Sequence, residues 1–175
     1  MSTLRNTAQK ILDATLACAQ QQADFTMADV AQKASLSRQA VYLHFPDRAE
    51  LLMALLARLG DETPPTQIER APSARAALTA LAGRLAETYP RRWPVLRALD
   101  GETADAALAA DARALAERFR SEGALAAHLS PPAAADLLAT LLSLAVWKEL
   151  VIGRGWDSAR YKSHIAFLAA GAVTR

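Results

Sequence analysis

Five side chains that can donate hydrogen bonds fall within eight consecutive residues of the N-terminal third. They are Ser37, Arg38, Gln39, Tyr42 and His44. No acidic residue lies between Gln32 and Pro46, so no carboxylate in this stretch repels an anion. Arginine can bond guanine through two N–H groups, glutamine can bond adenine in the same bidentate way, and hydroxyl and imidazole groups suit phosphate oxygens. These residue types therefore indicate contact with the major groove of DNA, if one surface presents them together.

Two short helices joined by a tight turn would present them in this way. Thr26 followed by Asp29 predicts a capping box and a helix over residues 27–34, and Ser37 is placed to cap a second helix over 38–44. The positions at which two such helices pack are small or apolar: Val30, Ala31, Ala34, Leu36 and Val41. The pattern predicts a helix-turn-helix, with the polar set on its outer side.

The rest of the chain is also expected to be helical. Apolar residues recur at three- and four-residue spacing over 3–22 and over 47–59, and residues 61–73 carry three prolines and predict a loop. Five further helices are predicted over 73–89, 94–100, 103–122, 132–152 and 157–173, with a possible extra helical turn at 124–129. We therefore expect a helix-turn-helix domain over residues 1–46 and a larger helical domain over 47–175, in which 47–59 is a linking helix.

The composition favours an all-α fold and excludes several other classes. Of 175 residues, 52% are hydrophobic and only 6% aromatic, and alanine and leucine, both strong helix formers, dominate. The net charge of +2 is too small to indicate nucleic acid by itself. The single cysteine, Cys18, excludes a disulfide within the chain and any paired-cysteine zinc site. We expect a soluble cytoplasmic protein without a cofactor or metal, since no signal peptide or membrane-length apolar run is visible.

The stretch from Ile11 to Leu52 resembles the DNA-binding region of TetR-type transcriptional repressors. The resemblance is strongest over residues 26–37 and over 41–52, where Tyr-x-His-Phe precedes an acid-rich helix start. It implies a homodimeric, ligand-responsive repressor that binds double-stranded DNA at a palindromic operator. The implied phosphate contacts are Thr26, Ser37, Tyr42, His44 and Arg48. The implied base-facing residues are Arg38, Gln39 and Ala40.

Three positions depart from the family pattern. Ser35 stands in the turn where the family usually has glycine, and it is strained if the backbone there is left-handed. Arg48 replaces the usual lysine and still neutralises a phosphate, with a wider fork. Asp24 replaces a glycine before the second helix. None of these changes removes a contact residue.

A pocket for a small-molecule effector is expected between the linking helix and the helices over 73–122. The candidate lining residues are large side chains in a chain that has few of them: Tyr89, Trp93, Phe119, His128 and Trp147. Scarcity of charge around them would suit an apolar or aromatic molecule. Each residue can equally belong to the hydrophobic core.

The last two predicted helices are candidates for the dimer interface. Residues 137–147 are apolar all round, and the final helix has an apolar stripe with small residues beside it. As in TetR-type dimers, two such helices from each subunit would form a four-helix bundle. The candidate contacts are Leu137, Leu141, Leu144, Tyr161, Ile165, Leu168 and Ala172. The alternative is that both helices belong to the core of one chain.

Two other functional classes remain open at this stage. One is a helical ligand- or protein-binding module that no longer reads DNA. The other is an α-helical enzyme, which no nucleotide-binding, hydrolase or metalloprotease motif supports. The operator, the regulated genes, the effector and the direction of its effect are not specified by the sequence.

Overall fold

The computed structural model describes residues 2–61, 68–99 and 106–174, and these are almost entirely helical. The α-helices are α1 (Ser2–Gln21), α2 (Met27–Lys33), α3 (Arg38–His44), α4 (Arg48–Asp61), α5 (Ala74–Ala98), α6 (Ala106–Ser121), α7 (Pro131–Leu141), α8 (Leu144–Trp147) and α9 (Ser158–Val173). A 3-10 turn at Ile68–Arg70 and a π-helix at Lys148–Gly153 complete the set. Extended pairing in the described ranges is limited to an isolated bridge between Leu125 and Thr174. The predicted all-α class is confirmed.

The chain divides into two compact units, and the first comprises Met1–Pro64 and Pro90–Thr103. In this unit α1 packs on α2 and α4. All five leucines predicted to make α4 apolar are buried: Leu51, Leu52, Leu55, Leu56 and Leu59. Because these side chains are buried, α4 belongs to the same compact unit as the helix-turn-helix. The unit boundary therefore differs from the domain edge predicted at residue 46.

Two arginines tie elements of the first unit together. Arg58 on α4 forms an ion pair with Asp13 on α1, with 2.7 Å between Nη1 and Oδ1. Arg97 Nη2 donates a hydrogen bond to the Ala19 carbonyl oxygen at 3.1 Å. This carbonyl is near the end of α1, where carbonyl groups lack partners within the helix.

The second unit comprises Pro65–Tyr89 and Ala104–Arg175, and α7 packs on both α6 and α9. An ion pair on α6 holds the segment that leads into α5. Arg118 donates to the carbonyl oxygens of Ile68 and Ala71 and, from Nε at 2.9 Å, to Glu122. Both Glu122 carboxylate oxygens accept the Ala74 N–H at 3.0 Å. The negative charge thus lies at the N-terminus of α5, where the helix dipole favours it.

Helix α5 corrects the prediction of two helices over 73–89 and 94–100. It is continuous from Ala74 to Ala98, with Pro90 and Pro94 inside it. An interior proline removes a hydrogen bond and destabilises a helix by roughly 3 kcal/mol. Here Tyr89, immediately before the first proline, and Val95, immediately after the second, are buried, so packing offsets that cost. The boundary between the two compact units falls at Pro90.

The single helix predicted over 132–152 is also corrected, because α7 ends at Leu141 and α8 begins at Leu144. Ser143 has an extended backbone (φ −65°, ψ 157°), and its hydroxyl accepts the Val146 N–H as an N-cap. The Leu142 carbonyl oxygen accepts a hydrogen bond from the Tyr89 hydroxyl at 2.7 Å. A side-chain cap and a tertiary hydrogen bond together supply the partners that a continuous helix would have provided.

Two connecting segments also differ in detail from the prediction. The described part of the loop at 61–73 contains the 3-10 turn, with Ile68 buried. Residues 124–129 form turns rather than helix, and the Ala126 N–H bonds to the Val173 carbonyl oxygen at 2.9 Å. The helix ends predicted at 100 and 103 lie outside the described residues.

Candidate nucleic-acid interface

The turn between α2 and α3 contains a residue with a left-handed backbone, at the position where the sequence analysis considered this conformation. Ser35 has φ +55°, the only positive value at a non-glycine position in the described ranges. The Leu36 N–H bonds to the Ala31 carbonyl oxygen at 2.9 Å and the Ser35 N–H bonds to Gln32 at 3.1 Å. These two bonds form a Schellman motif, which normally has glycine at the left-handed position. The expected strain at Ser35 is therefore present.

The capping box predicted at the start of α2 is confirmed. Thr26 donates its backbone N–H and its hydroxyl to Asp29 Oδ2, at 2.7 and 2.8 Å, and its Oγ1 accepts the Asp29 N–H at 3.2 Å. These Thr26 bonds, more than the charge of Arg38, lower the pKa of Asp29. The Thr26 hydroxyl was expected to contact phosphate, but its proton is committed to Asp29. Thr26 therefore acts first on the position of α2.

Ser37 caps α3 and keeps a donor for an outside partner. Its Oγ accepts the Ala40 N–H at 3.1 Å, so its own O–H proton is not used in the cap. A phosphate oxygen could accept that proton while the cap stays in place. The prediction that Ser37 begins the second helix of the motif is confirmed.

Helix α3 separates one buried residue from an exposed polar face. Val41 is 0% exposed, whereas Arg38 and Gln39 are exposed and Tyr42 is 50% exposed. Ala40 and His44 are half-buried on the flank of this face. Helix α3 thus presents the predicted hydrogen-bond donors Arg38, Gln39 and Tyr42 together on its exposed surface.

Arg48 has a structural role that the sequence did not reveal. Its Nε donates to the Phe25 carbonyl oxygen at 3.0 Å, its Nη2 donates to the Ala23 carbonyl oxygen, and its guanidinium lies 4.8 Å from the centroid of the Phe25 ring. The side chain therefore ties the start of α4 to the segment between α1 and α2. Its Nη1 group is not used in these bonds and keeps the expected phosphate contact geometrically open.

Leu43 belongs to the exposed face, although the sequence analysis did not select it. It is 81% exposed, more than any other exposed large hydrophobic side chain in the described residues. The signal that could have found it is helical spacing, because Gln39 and Leu43 are four residues apart and share a face.

The N-terminal helices match a known family model. Residues 11–55 match the family model described as bacterial regulatory proteins, tetR family. The match runs from the middle of α1 through the helix-turn-helix and into α4, and it includes every residue of the exposed α3 face. Over these residues the chain is similar to the tetR family.

Solved structures of bacterial regulators show a similar fold over nearly the whole length of this chain. SmeT, the repressor of the Stenotrophomonas maltophilia multidrug efflux pump SmeDEF, is 21% identical with a TM-score of 0.70, over 96% of this chain and 90% of SmeT. NalD, the secondary repressor of the MexAB-OprM multidrug efflux pump in Pseudomonas aeruginosa, is 18% identical with a TM-score of 0.69, over 98% of each chain. FadR from Bacillus subtilis, in complex with stearoyl-CoA, is 12% identical with a TM-score of 0.68, over 93% and 97%. A comparison with curated protein sequences gave no significant match.

Two of the five effector candidates are in ring contact. Tyr89 and Trp147 are each 1% exposed and their ring centroids are 5.9 Å apart in the second unit. Phe119 is buried in the same unit, whereas His128 is exposed. Trp93 is half-buried and lies in the segment assigned to the first unit. The structure therefore pairs Tyr89 with Trp147.

The dimer candidates differ in their exposure. Tyr161 and Ile165 are 0% and 1% exposed within one chain, so their assignment to a contact with a second subunit is corrected: they are core residues. Helix α9 buries positions 161, 165, 169, 170 and 173, because it packs against α7 and the π-helix. Leu137 and Leu168 are 39% and 50% exposed. The remaining candidates, Leu141, Leu144 and Ala172, are half-buried.

The hydroxyl of Tyr161 is a further feature of this core. Its oxygen is buried, and within the described ranges no group lies at hydrogen-bonding distance from it. Burial raises the pKa of Tyr161 well above its ordinary value, so the phenol is neutral.

No three metal-ligating side chains come together among the described residues, and no described helix is long and apolar enough to cross a bilayer.

Proposed function

We propose that this protein is a TetR-type, ligand-responsive transcriptional repressor that binds a palindromic operator as a homodimer. The observation that carries the proposal is the polar surface of α3, where Arg38, Gln39 and Tyr42 are exposed and Val41 is buried. Ser37 caps the first turn of this seven-residue helix, and a helix of this kind can lie in the major groove. Two copies would place their α3 helices roughly 34 Å apart, one turn of DNA.

The residues of this face have different roles. Arg38 and Gln39 bond base edges, where they discriminate between sequences, and Ala40 lies close to the bases because its side chain is small. Ser37, Tyr42 and His44 bond phosphate oxygens and set the register of the helix on the duplex. The structure adds positioning roles for the other two predicted contacts, since Thr26 caps α2 and Arg48 holds the segment between α1 and α2.

The second copy binds the apolar surface that α7 and α9 leave exposed. Leu137, Phe167 and Leu168 are 39%, 73% and 50% exposed, and α7 packs directly on α9. Phe167 takes the place of the buried Tyr161 and Ile165 in the predicted interface. Contact with a second copy would remove these side chains from water, which gains about 25 cal/mol for each Å² of apolar surface.

The effector is an apolar or aromatic small molecule bound in the second unit beside Tyr89 and Trp147. The similar structures include SmeT with triclosan and FadR with stearoyl-CoA, which supports a ligand for this fold. The unpaired Tyr161 hydroxyl offers a hydrogen bond to a ligand that carries an acceptor. A ligand that favours the conformation with the lower DNA affinity weakens DNA binding, and DNA weakens the binding of that ligand by the same factor.

The test is selection of bound duplexes from a random DNA library by the purified full-length protein, at two salt concentrations. We expect a palindromic consensus and an affinity that falls steeply with added salt, because phosphate contacts release counterions. Arg38→Ala or Gln39→Ala should weaken binding to the consensus by about 1–3 kcal/mol and relax its sequence. Tyr42→Phe should weaken binding to every duplex about equally.

Other outcomes would favour the other functional classes. No enriched duplex, together with binding that does not depend on salt, would support a ligand- or protein-binding module and contradict a repressor. Conversion of a bound small molecule into a product would indicate an enzyme, since a repressor leaves its effector intact.

A further inference from the structure

We infer that Leu43 reads the C5-methyl group of a thymine, beside the base that Gln39 bonds. This inference rests on the proposed DNA-binding function and adds to it one residue that determines sequence preference. It assigns a chemical partner to the most exposed large hydrophobic side chain in the described residues, which is 81% exposed.

The position of Leu43 on the helix supports the assignment. Successive residues of an α-helix are about 100° apart around its axis. Gln39 and Leu43 each lie two positions from Val41, so each lies about 160° around the axis from the one residue of α3 that is fully buried. These two side chains are therefore the ones that point most directly away from the core of the first unit. The flanking positions, Arg38 and Tyr42 on one side and Ala40 and His44 on the other, are turned less far outward.

The chemistry of the major groove identifies the partner. Each A·T pair exposes hydrogen-bonding atoms of adenine and one apolar group, the thymine methyl. Leucine has no hydrogen-bonding atom in its side chain, so a polar base edge or a phosphate gains nothing from it. A single exposed leucine is common on protein surfaces. Leu43, however, lies between Tyr42 and His44 in the sequence, and it shares a face of α3 with Gln39, whose amide suits adenine.

The size of the expected effect follows from burial of one methyl group. A buried CH₂ or CH₃ group corresponds to about a fourfold change in affinity, and a symmetric dimer would make the contact in both half-sites. Truncation of Leu43 should not unfold the protein, because almost none of this side chain is packed in the core.

The experiment replaces each thymine of the selected duplex in turn by deoxyuridine, which removes only the C5-methyl group. Binding is measured for the wild-type protein, for Leu43→Ala and for Leu43→Met. The matched control is Met53→Ala on α4, where another apolar side chain is 53% exposed outside the α3 face. Thermal unfolding of each variant confirms that it is folded.

We expect one thymine per half-site at which deoxyuridine weakens wild-type binding by about fourfold. Leu43→Ala removes the contact in both half-sites, so it should bind the thymine duplex as weakly as the wild type binds a duplex with deoxyuridine in both half-sites, and it should not respond to the replacement. Leu43→Met and Met53→Ala should keep the wild-type response.

The inference is overturned if the wild type responds at no thymine, if the consensus half-site contains no thymine, or if Leu43→Ala keeps the response. In each of these cases the selected duplex still supports the proposed function. Failure to select any duplex would contradict the proposed function and this inference together.

Discussion

Replacement of Ser35 by glycine should stabilise the protein, because this residue has a left-handed backbone. Its φ of +55° places the Cβ atom close to the carbonyl oxygen that follows, a conformation that L-residues other than glycine adopt at a cost of roughly 1–2 kcal/mol. Glycine removes this strain. It also gains freedom in the unfolded chain, which offsets roughly 0.5–1 kcal/mol. The net stabilisation expected for Ser35→Gly is about 0.5–1 kcal/mol.

The adjacent residue supplies the matched control. Ala34 is the C-cap of α2 and has φ −78°, in the right-handed helical region. Glycine has no conformational advantage there, so Ala34→Gly should destabilise the protein by about 0.5–1 kcal/mol. Two glycine substitutions one residue apart are thus expected to have opposite signs. Ser35→Ala should be nearly neutral, because alanine keeps the same strain.

The assay is thermal and urea unfolding at one protein concentration, since dimerisation makes the midpoint depend on concentration. For a chain of this size, the gain for Ser35→Gly corresponds to a rise in Tm of about 1–4 °C. If Ser35→Gly lowers the midpoint, or if Ala34→Gly raises it equally, the left-handed turn is not the cause and the Schellman geometry is refuted. Affinity for the selected duplex should be unchanged, because Ser35 is outside α3.

Three further predictions follow from individual contacts. Arg48→Ala should lower the free energy of unfolding by about 1–3 kcal/mol, because it leaves carbonyl groups such as that of Phe25 without their charged donor. Arg48→Lys should recover only part of this free energy in urea unfolding. Unchanged stability of Arg48→Ala would indicate that the side chain serves DNA binding alone. Hydrogen bonds hold the pKa of Glu122 below its ordinary value, mainly the one from the Ala74 N–H and next the one from the Arg118 guanidinium. The Glu122 carboxylate therefore stabilises the fold at pH values above its unfolded pKa. This contribution is lost as the pH falls through its folded pKa. Urea midpoints should therefore be higher for the wild type than for Glu122→Gln at pH 7 and should converge once the pH falls below the folded pKa of Glu122, whereas a difference independent of pH would contradict the charge-based argument. Tyr161→Phe should leave the free energy of unfolding unchanged or raise it by about 1 kcal/mol, because it removes a buried hydroxyl that has no hydrogen-bond partner in the described ranges. A clear loss of stability would show that this hydroxyl is hydrogen-bonded.

Features that depend on a few neighbouring residues were predictable from the sequence. The capping box at Thr26, the N-cap at Ser37 and the strained turn at Ser35 all occur as expected, because each is a hydrogen-bonding arrangement within six residues. The apolar arc of α4 was also predictable, since its leucines follow the helical period.

Features that depend on distant residues were not. A proline normally ends a helix, and only the burial of the side chains around Pro90 and Pro94 explains why α5 continues. Ser143 could have been read as an ordinary helical residue, whereas the carbonyl just before it is held by Tyr89, 53 residues away in the chain. Arg48 likewise has the residue type for phosphate binding, and its bond to Phe25 depends on how α4 meets a segment 23 residues earlier.

By itself, the sequence determined the fold class, the helix-turn-helix and the identity of the exposed α3 face, since local hydrogen bonds and helical periodicity specify all three. Only the tertiary structure decided which apolar residues remain exposed. Tyr161 and Leu168 are on the same helix and both apolar in pattern, yet one is in the core and the other is half exposed. Periodicity identifies an apolar face, but the elements that pack against it determine how much of that face remains for a partner.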